Sequence, residues 1–214
     1  MQSGEHVKRS YRSPLREAQA GETRRSIVDA AARLFVHRGY FGTSVEAVAS
    51  AAGVGRATVF ATFGGKPPLL KAAYDAAFGT GDDRTPLVQR PEAQAVLAER
   101  DPRRYLAAYV SLIAGIFARV APIHEVVRAA ADSDAEVAAV WEQIGTERLN
   151  GSRRIVGHLE ERGGIRADLD RARAADLIWV LNDPGLYHML VHRRGWPPAA
   201  YEAHVTDLLV RQLL

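Results

Sequence analysis

Residues 43–63, TSVEAVASAAGVGRATVFATF, contain two short apolar runs at helical spacing, separated by the tetrapeptide AGVG at 52–55. Thr43 or Ser44 can cap the first run, because its side-chain oxygen accepts a backbone N–H group that the helix leaves unpaired. Gly53 can end that helix, since glycine adopts the left-handed conformation at no steric cost. Two short helices joined by a tight turn with glycine form a helix-turn-helix. This stretch therefore predicts one, and the apolar side chains that would close it are Val45, Val48, Ala49, Ala52, Val59 and Phe63.

The second helix of this pair has an outer face that suits DNA. It combines a cation, small side chains, hydroxyl groups and an aromatic ring, a surface that fits the major groove. These positions are Arg56, Ala57, Thr58, Phe60, Ala61 and Thr62. An ordinary helical hairpin that only packs against its neighbours has the same local pattern, so the surrounding sequence has to separate the two interpretations.

The composition is that of a globular protein with a substantial core. The chain has 214 residues, of which 47% are hydrophobic and 25% charged, enough for one large or two small domains. It contains no cysteine, which excludes disulfides and thiolate chemistry. We see no run of about 18 apolar residues and no apolar signal core, so we expect no membrane association, no export and a cytoplasmic location.

Positive charge is concentrated in the N-terminal part. Residues 1–80 hold 11 lysines and arginines against 6 acidic residues, whereas residues 81–214 hold 17 against 19. A polyanion bound to the helix-turn-helix would need this excess. Residues 1–21 lack apolar periodicity and include several basic side chains. We interpret them as a flexible basic arm, which is either a solvated tail or a segment that follows DNA phosphates.

Helical periodicity continues through the rest of the chain, so the predicted fold class is all-α with about nine helices. A first helix from about Glu22 to Arg38 precedes the helix-turn-helix, and a fourth runs from Lys66 to about Gly79. The polar stretch 79–90 is the expected linker. Further helices are expected over 91–100, 102–120, 122–131, 134–162, 168–192, with a break or kink at Pro184, and 197–213.

These elements divide into three predicted units. They are the basic arm (1–21), a three-helix DNA-binding domain with the helix-turn-helix (22–65) and a helical C-terminal domain (66–214).

The first four helices carry a recognisable set of residues between about 23 and 78. They are Ala30-Ala31, Leu34, Phe35, Gly39-Tyr40, Thr43-Ser44-Val45, Val48-Ala49, Ala52-Gly53-Val54, Thr58-Val59-Phe60, Phe63, Lys66 and Leu69-Leu70. In these positions the chain resembles the TetR family of bacterial transcriptional regulators. It departs from the family pattern at Gly55 (often a capping serine), Phe60 (usually tyrosine), Thr62 (often histidine or tyrosine) and Pro67-Pro68 (usually an acidic and a polar residue). These departures spare the core but can change affinity and sequence preference.

The resemblance implies a homodimer bound to double-stranded operator DNA. The predicted DNA contacts are Thr43, Ser44, Arg56, Ala57, Thr58, Phe60, Thr62 and Lys66. Arg56 is the best base reader, because arginine can bond O6 and N7 of guanine together. Ala57 and Phe60 can contact a thymine methyl, and Thr58 can contact a base edge or a phosphate. The positions at which the family grips the DNA backbone are Thr43, Thr62 and Lys66. Two copies about 34–36 Å apart would read a palindrome.

The C-terminal region has a helical pattern similar to the effector-binding and dimerisation part of the family, in which the last two long helices pair with their symmetry mates. A pocket lined by aromatic residues would suit a small apolar or aromatic effector. The predicted lining is Tyr105, Tyr109, Phe117, Trp141 and Trp179, with Asn182 added because a buried amide needs a partner. Core packing is the alternative for each of them.

Other chemistry has little support in the sequence. His188 and His192 share a helical face, but no third ligand is evident, so we expect neither a metal site nor a cofactor. The chain lacks a glycine-rich phosphate-binding motif, G-x-S-x-G and H-E-x-x-H, and no catalytic residue is predicted.

The sequence thus predicts a homodimeric repressor that a small-molecule effector releases from a palindromic operator, although activation fits the same residues. Two alternatives stay open. One is a constitutive DNA-binding protein without an effector, and the other is a helical small-molecule-binding protein or enzyme with an incidental helix-turn-helix.

Overall fold

The computed structural model describes residues 14–79 and 86–214, and all regular structure in these two ranges is helical, which confirms the all-α class. The α-helices are α1 (Pro14–Arg38), α2 (Val45–Ala52), α3 (Arg56–Phe63), α4 (Lys66–Phe78), α5 (Pro91–Ala98), α6 (Pro102–Ala131), α7 (Ala135–Glu160), α8 (Arg171–Leu181), α9 (Pro184–Tyr187) and α10 (Pro198–Leu213). A 3₁₀ turn at Leu87–Gln89 precedes α5. The remainder of the expected linker, residues 80–85, lies outside the described ranges.

The first helix is longer than the sequence predicted. It begins at Pro14 rather than near Glu22, so residues 14–21 of the predicted arm are helical, and residues 1–13 lie outside the described part of the chain. Proline is tolerated at the first helical position. The stretch REAQA at 16–20 consists of residues with high helix propensity, which accounts for the early start.

Helices α2 and α3 form the predicted helix-turn-helix. Ser44 caps α2, because its hydroxyl oxygen accepts a hydrogen bond from the N–H of Ala47 at 3.1 Å. Gly53 ends α2 with a φ of 69°, and its N–H bonds to carbonyls of the last turn. The apolar side chains of both helices share one core with α1: Ile27, Phe35, Val45, Val48, Ala49, Val59 and Phe63.

Tyr40, in the turn after α1, connects the helix-turn-helix to the remainder of the protein. Its hydroxyl donates a hydrogen bond to Oδ2 of Asp134 at 3.1 Å, and Oδ1 of Asp134 caps α7. Its backbone carbonyl accepts a hydrogen bond from Nζ of Lys66 at 3.1 Å, at the start of α4. Burial and the bond to Asp134 raise the pKa of the Tyr40 hydroxyl, so it remains a donor at neutral pH.

Helix α6 is the centre of the second part of the protein and packs against α1, α4, α5, α7, α9 and α10. The sequence predicted two helices here, over 102–120 and 122–131, but α6 continues through Pro122. Proline removes one internal hydrogen bond. Its neighbours Ala121 and Ile123 are buried in the core, so packing holds the helix together across this position.

The predicted break at Pro184 is present. Helix α8 ends at Leu181, and Asp183 caps α9 by accepting a hydrogen bond from the N–H of Gly185 at 2.6 Å. Pro184 therefore stands in the first turn of a new helix, where its missing N–H group is harmless. A π-helical segment, His188–Arg193, continues α9.

Helix α6 also corrects the expectation that the chain has no stretch able to span a membrane. By length and composition it passes that test, with a mean hydropathy of 1.8 over its most apolar window. However, 56% of that window is buried inside the protein. Central helices of compact helical proteins have the same property, so the apolar length of α6 is accounted for by its position in the core.

The left-handed glycine at the end of α2 gives a testable prediction. Replacing Gly53 with alanine should lower the free energy of unfolding by about 1–2 kcal/mol, because a Cβ atom disfavours positive φ. Gly55→Ser is the matched control: φ is −74° there and a Cβ atom would meet only Oγ1 of Thr58 at 3.8 Å, so the change should stay within about 0.5 kcal/mol. Urea unfolding followed by circular dichroism measures both, and equal stability of the two variants would contradict the role of Gly53.

Candidate DNA-binding face and effector cavity

The exposed face of α3 carries the side chains predicted to read bases. Arg56, Ala57 and Thr58 are exposed in the first turn, and Phe60 is 38% exposed. Val59 is buried on the opposite side. Phe60 therefore lies on the outer face of α3 and not in the core.

Arg56 is held by residues of both helices of the motif. Its Nε atom lies 2.6 Å from Oε1 of Glu46 on α2, and its guanidinium carbon lies 5.0 Å from the centroid of the Phe60 ring. The backbone N–H of Glu46 and the charge of Arg56 lower the pKa of the Glu46 carboxyl. An exposed ion pair adds little stability, but this one fixes the direction of Arg56 across the turn.

Three residues predicted to contact the DNA backbone already make local hydrogen bonds. The Ser44 hydroxyl caps α2, the Thr62 hydroxyl donates to the carbonyl of Thr58 at 2.7 Å, and Nζ of Lys66 donates to the carbonyl of Tyr40. Ser44 is exposed, whereas Thr62 and Lys66 are half-buried. The Thr62 hydroxyl has no second hydrogen for a phosphate, whereas the hydroxyl hydrogen of Ser44 and the remaining N–H groups of Lys66 stay available as donors.

Thr43 does not agree with its predicted role. It is only 1% exposed, and its hydroxyl lies 2.8 Å from the carbonyl oxygen of Gly39 and 3.1 Å from that of Leu34. These bonds join the turn to the end of α1. The Thr43 side chain is therefore not available to a phosphate in this conformation, and we remove it from the proposed contacts.

A cavity of about 580 Å³ lies among α4, α5, α6 and α7. Four of the residues predicted to line an effector pocket do line it: Tyr105, Tyr109, Phe117 and Asn182. Most of the remaining wall is apolar, with Phe78, Val96, Leu112, Ile113, Ile144 and Ile155. An apolar cavity with a few polar groups is typical of a site for a small molecule.

Trp141 and Trp179, which were also predicted to line an effector pocket, do not line this cavity. The Trp141 ring packs against His124, with centroids 4.8 Å apart. The indole N–H of Trp179 donates to the carbonyl of Gly145 at 3.2 Å. Both rings contribute to helix packing instead. Helical periodicity groups residues on one face of α7 or α8, but it does not show which face lines the cavity.

The sequence analysis missed the charged residues of the wall. They are Lys71, Asp75, Glu147, Arg148, Arg154 and His158. Arg148 carried a usable signal, because it follows Ile144 by four residues on the otherwise apolar face of α7. Lys71 binds both Asp75 and Glu147, at 2.7 and 3.2 Å, which joins α4 to α7 at the edge of the cavity.

Behind the cavity, Arg148 belongs to a buried polar network. Its Nη2 atom lies 2.7 Å from Oδ2 of Asp183, and Oδ1 of Asp183 lies 3.5 Å from Nε2 of His124. Burial by itself raises the pKa of Asp183, but the bond from His124 and the charges of Arg148 and His124 outweigh it, and the pKa is lowered. The network joins α6, α7 and the start of α9.

His188 and His192 lie together, with ring centroids 5.3 Å apart. Among the described residues there is no group of three or more histidine, cysteine, aspartate or glutamate side chains that could hold a metal ion. His188 and Glu125 both line a groove beside the turn after α1.

Comparisons with known proteins address the DNA-binding part most directly. Residues 27–73 match the family described as "Bacterial regulatory proteins, tetR family". The probable HTH-type transcriptional regulator ArpR of Pseudomonas putida is 28% identical over 168 residues, which cover 77% of this chain and 79% of ArpR. The DNA-binding part of the chain therefore matches the TetR family. The chain is accordingly a DNA-binding transcriptional regulator.

Solved structures show that the TetR-like fold extends over both parts of the chain. The regulator FadR from Bacillus subtilis, in complex with stearoyl-CoA, has a TM-score of 0.68 at 22% identity, over 89% of this chain and 99% of FadR. NalD of Pseudomonas aeruginosa, the secondary repressor of the MexAB-OprM multidrug efflux pump, has a TM-score of 0.65 at 22% identity, over 91% and 98%. The fold expected from the family resemblance is therefore confirmed.

The buried network gives a prediction on stability. Asp183→Ala should lower the free energy of unfolding by about 3 kcal/mol, because Arg148 is left charged and buried and α9 loses its cap. The pKa of Asp183 is lowered in the folded state. Its contribution is therefore complete above the ordinary aspartate pKa of about 3.9 and is lost as the pH falls through the folded value.

Thermal and urea unfolding of wild type and variant between pH 3 and 7 measure this effect. Asp168→Ala is the control, since Asp168 pairs with Arg166 on the surface and its loss should change stability little at any pH. A difference between wild type and Asp183→Ala that does not shrink at low pH would contradict the assignment.

Proposed function

We propose that this protein is a cytoplasmic, homodimeric repressor that leaves its operator when a small apolar or aromatic molecule binds in the cavity. The observation that carries the proposal is the position of α4. Lys71, Tyr74 and Phe78 of α4 line the cavity, while Lys66 at the other end of the same helix contacts Tyr40 beside the helix-turn-helix. One helix therefore forms part of both sites.

This arrangement supplies a physical route for regulation. A ligand that binds better when α4 is displaced favours that displaced state in proportion to its difference in affinity. Movement of α4 would displace Lys66, which contacts Tyr40. The orientation of α3 would change as a result. Two recognition helices of a dimer would then no longer reach successive turns of the major groove.

The relatives favour repression and a ligand with an apolar part. NalD is named as a repressor, and FadR was solved with stearoyl-CoA. The cavity of this protein suits a ligand with an apolar part, since apolar side chains make up most of its lining. The boundary between the two proposed domains stays where the sequence predicts it, so that Lys66 is the first residue of the effector-binding and dimerisation domain.

The dimer is proposed to form through α8 and α10. A shallow apolar groove lies between them, lined by Leu169, Arg173, Asp176, Leu177, Val180, Leu181, Leu208 and Gln212. Val180 is 57% exposed in the single chain. The same surface of a second copy fits this groove. Across a two-fold axis it places its own apolar side chains, and its charges of both signs, opposite those of the first copy.

The first prediction of this proposal concerns the dimer. Val180→Glu should convert the protein to a monomer, since a carboxylate would be buried without a partner in the interface. Light scattering after size exclusion measures the mass. Val36→Glu, at an exposed apolar position of α1, is the control and should stay dimeric, whereas a dimeric Val180→Glu variant would place the interface elsewhere.

The second prediction concerns DNA. The dimer should bind the duplex upstream of its own coding region more tightly than a scrambled duplex, with an affinity that falls as salt rises. Arg56→Ala should remove about 1–3 kcal/mol of that preference per half-site, whereas Arg103→Ala, at an exposed position in the first turn of α6, should leave it unchanged. Fluorescence anisotropy at two salt concentrations measures both. Equal loss for both variants, or equal affinity for both duplexes, would contradict the role of Arg56.

A further inference from the structure

One part of the cavity wall is rich in hydrogen-bond donors. We call Tyr74, Tyr109, Arg148 and Asn182 the donor cluster; all four line the cavity. They come from α4, α6, α7 and the end of α8. The side-chain amide of Asn182 donates to the hydroxyl oxygen of Tyr109 at 2.6 Å, and the carbonyl of Asn182 accepts from Nη2 of Arg148 at 3.1 Å. These bonds place three members side by side.

Tyr74 belongs to the same group. Its hydroxyl is buried and lacks a hydrogen-bond partner, as is the case for Nε of Arg148. The Tyr74 ring lies next to His124, the neighbour of Asp183 in the buried network, with ring centroids 6.0 Å apart. Burial raises the pKa of both Tyr74 and Tyr109, so that each keeps its proton and acts as a donor.

The protein supplies few acceptors for these donors. The carboxylate of Asp183 is bonded to Arg148 and His124, and those of Asp75 and Glu147 are paired with Lys71. The hydroxyl oxygen of Tyr109 already accepts from Asn182, while the hydrogen of that hydroxyl has no acceptor among the described residues. A buried donor without an acceptor is unfavourable, so the cluster is complementary to a group that brings an oxygen.

We propose that the effector carries an acceptor oxygen, of a carbonyl or carboxylate group, on an otherwise apolar skeleton, and that the Tyr74 and Tyr109 hydroxyls and Nε–H of Arg148 bind this oxygen. This inference rests on the proposed function, because it takes the cavity to be the effector site. Arg148 already has Asp183 as its counter-ion, so a neutral carbonyl is sufficient. Tyr74 lies on α4, so the bond to the oxygen also ties the ligand to the helix that reaches the DNA-binding part.

The test compares probes that differ by one oxygen. Benzophenone and diphenylmethane have the same two rings, and biphenyl-4-carboxylate and biphenyl form a second pair that carries a carboxylate. Isothermal titration of the full-length dimer should give at least one oxygen-bearing probe an affinity about tenfold higher than its hydrocarbon, since each well-placed bond to a buried donor contributes about this factor. The pair that shows the preference identifies the carbonyl or the carboxylate as the ligand group.

Two variants tie that preference to the cluster. Tyr74→Phe removes only the hydroxyl and should reduce the oxygen preference several-fold while leaving the affinity for the hydrocarbon unchanged. Tyr187→Phe is the control: Tyr187 is also buried but does not line the cavity, and the preference should persist. Thermal unfolding of both variants without ligand shows that they are folded, and Tyr74→Phe should lose no stability because its hydroxyl has no partner.

The outcomes separate this inference from the function on which it rests. Equal affinity for oxygen-bearing probe and hydrocarbon in both pairs, or a preference that Tyr74→Phe leaves intact, would overturn the donor cluster while the cavity remained a ligand site. Binding of none of the four probes would overturn both the inference and the cavity as an effector site. A preference lost in Tyr74→Phe and retained in Tyr187→Phe would establish the cluster.

Discussion

Contacts at Tyr40 and along α4 hold the two parts of the protein in a fixed relation. The hydroxyl of Tyr40 bonds to the cap of α7, and its carbonyl bonds to Lys66 at the start of α4. Helix α4 then runs along the cavity, where Lys71 is paired with a carboxylate of α7. The orientation of α3 therefore depends on the same helices that enclose the cavity, and regulation by a ligand needs no separate moving part.

Polar groups of the second domain form a buried network beside the helices that enclose the cavity. Arg148, Asp183 and His124 form a buried network, in which the carboxylate of Asp183 pairs with Arg148 and lies 3.5 Å from Nε2 of His124. Such networks are weak contributors to net stability but are damaging when one member is lost. Here the network holds Arg148 against the ends of α8 and α9. Its Nη2 atom makes these contacts, whereas Nε has no hydrogen-bond partner. A structural ion pair thus orients a group that is available to a ligand.

The DNA-binding part was predictable because its signals are local. Ser44 and Gly53 determine where α2 begins and ends, and the spacing of apolar residues determines which face of α3 is buried. Errors arose where the outcome depends on distant parts of the chain. Pro122 lies within α6 because core packing outweighs its missing hydrogen bond, and Thr43 is buried because the end of α1 supplies its acceptors. The pairing of Glu46 with Arg56 and the exclusion of both tryptophans from the cavity likewise depend on how helices pack together, which periodicity within one helix does not specify.

The central claim is that a dimer presents two copies of α3 to successive turns of DNA and reads bases through Arg56. Selection of bound duplexes from a random pool tests this without knowledge of the operator. The account predicts that the wild-type protein enriches a palindrome whose half-site centres are about 10–10.5 base pairs apart. It also predicts that Arg56→Ala loses the preference at one guanine in each half-site. Enrichment of no motif, or of a single unrepeated half-site that Arg56→Ala selects equally well, would contradict it.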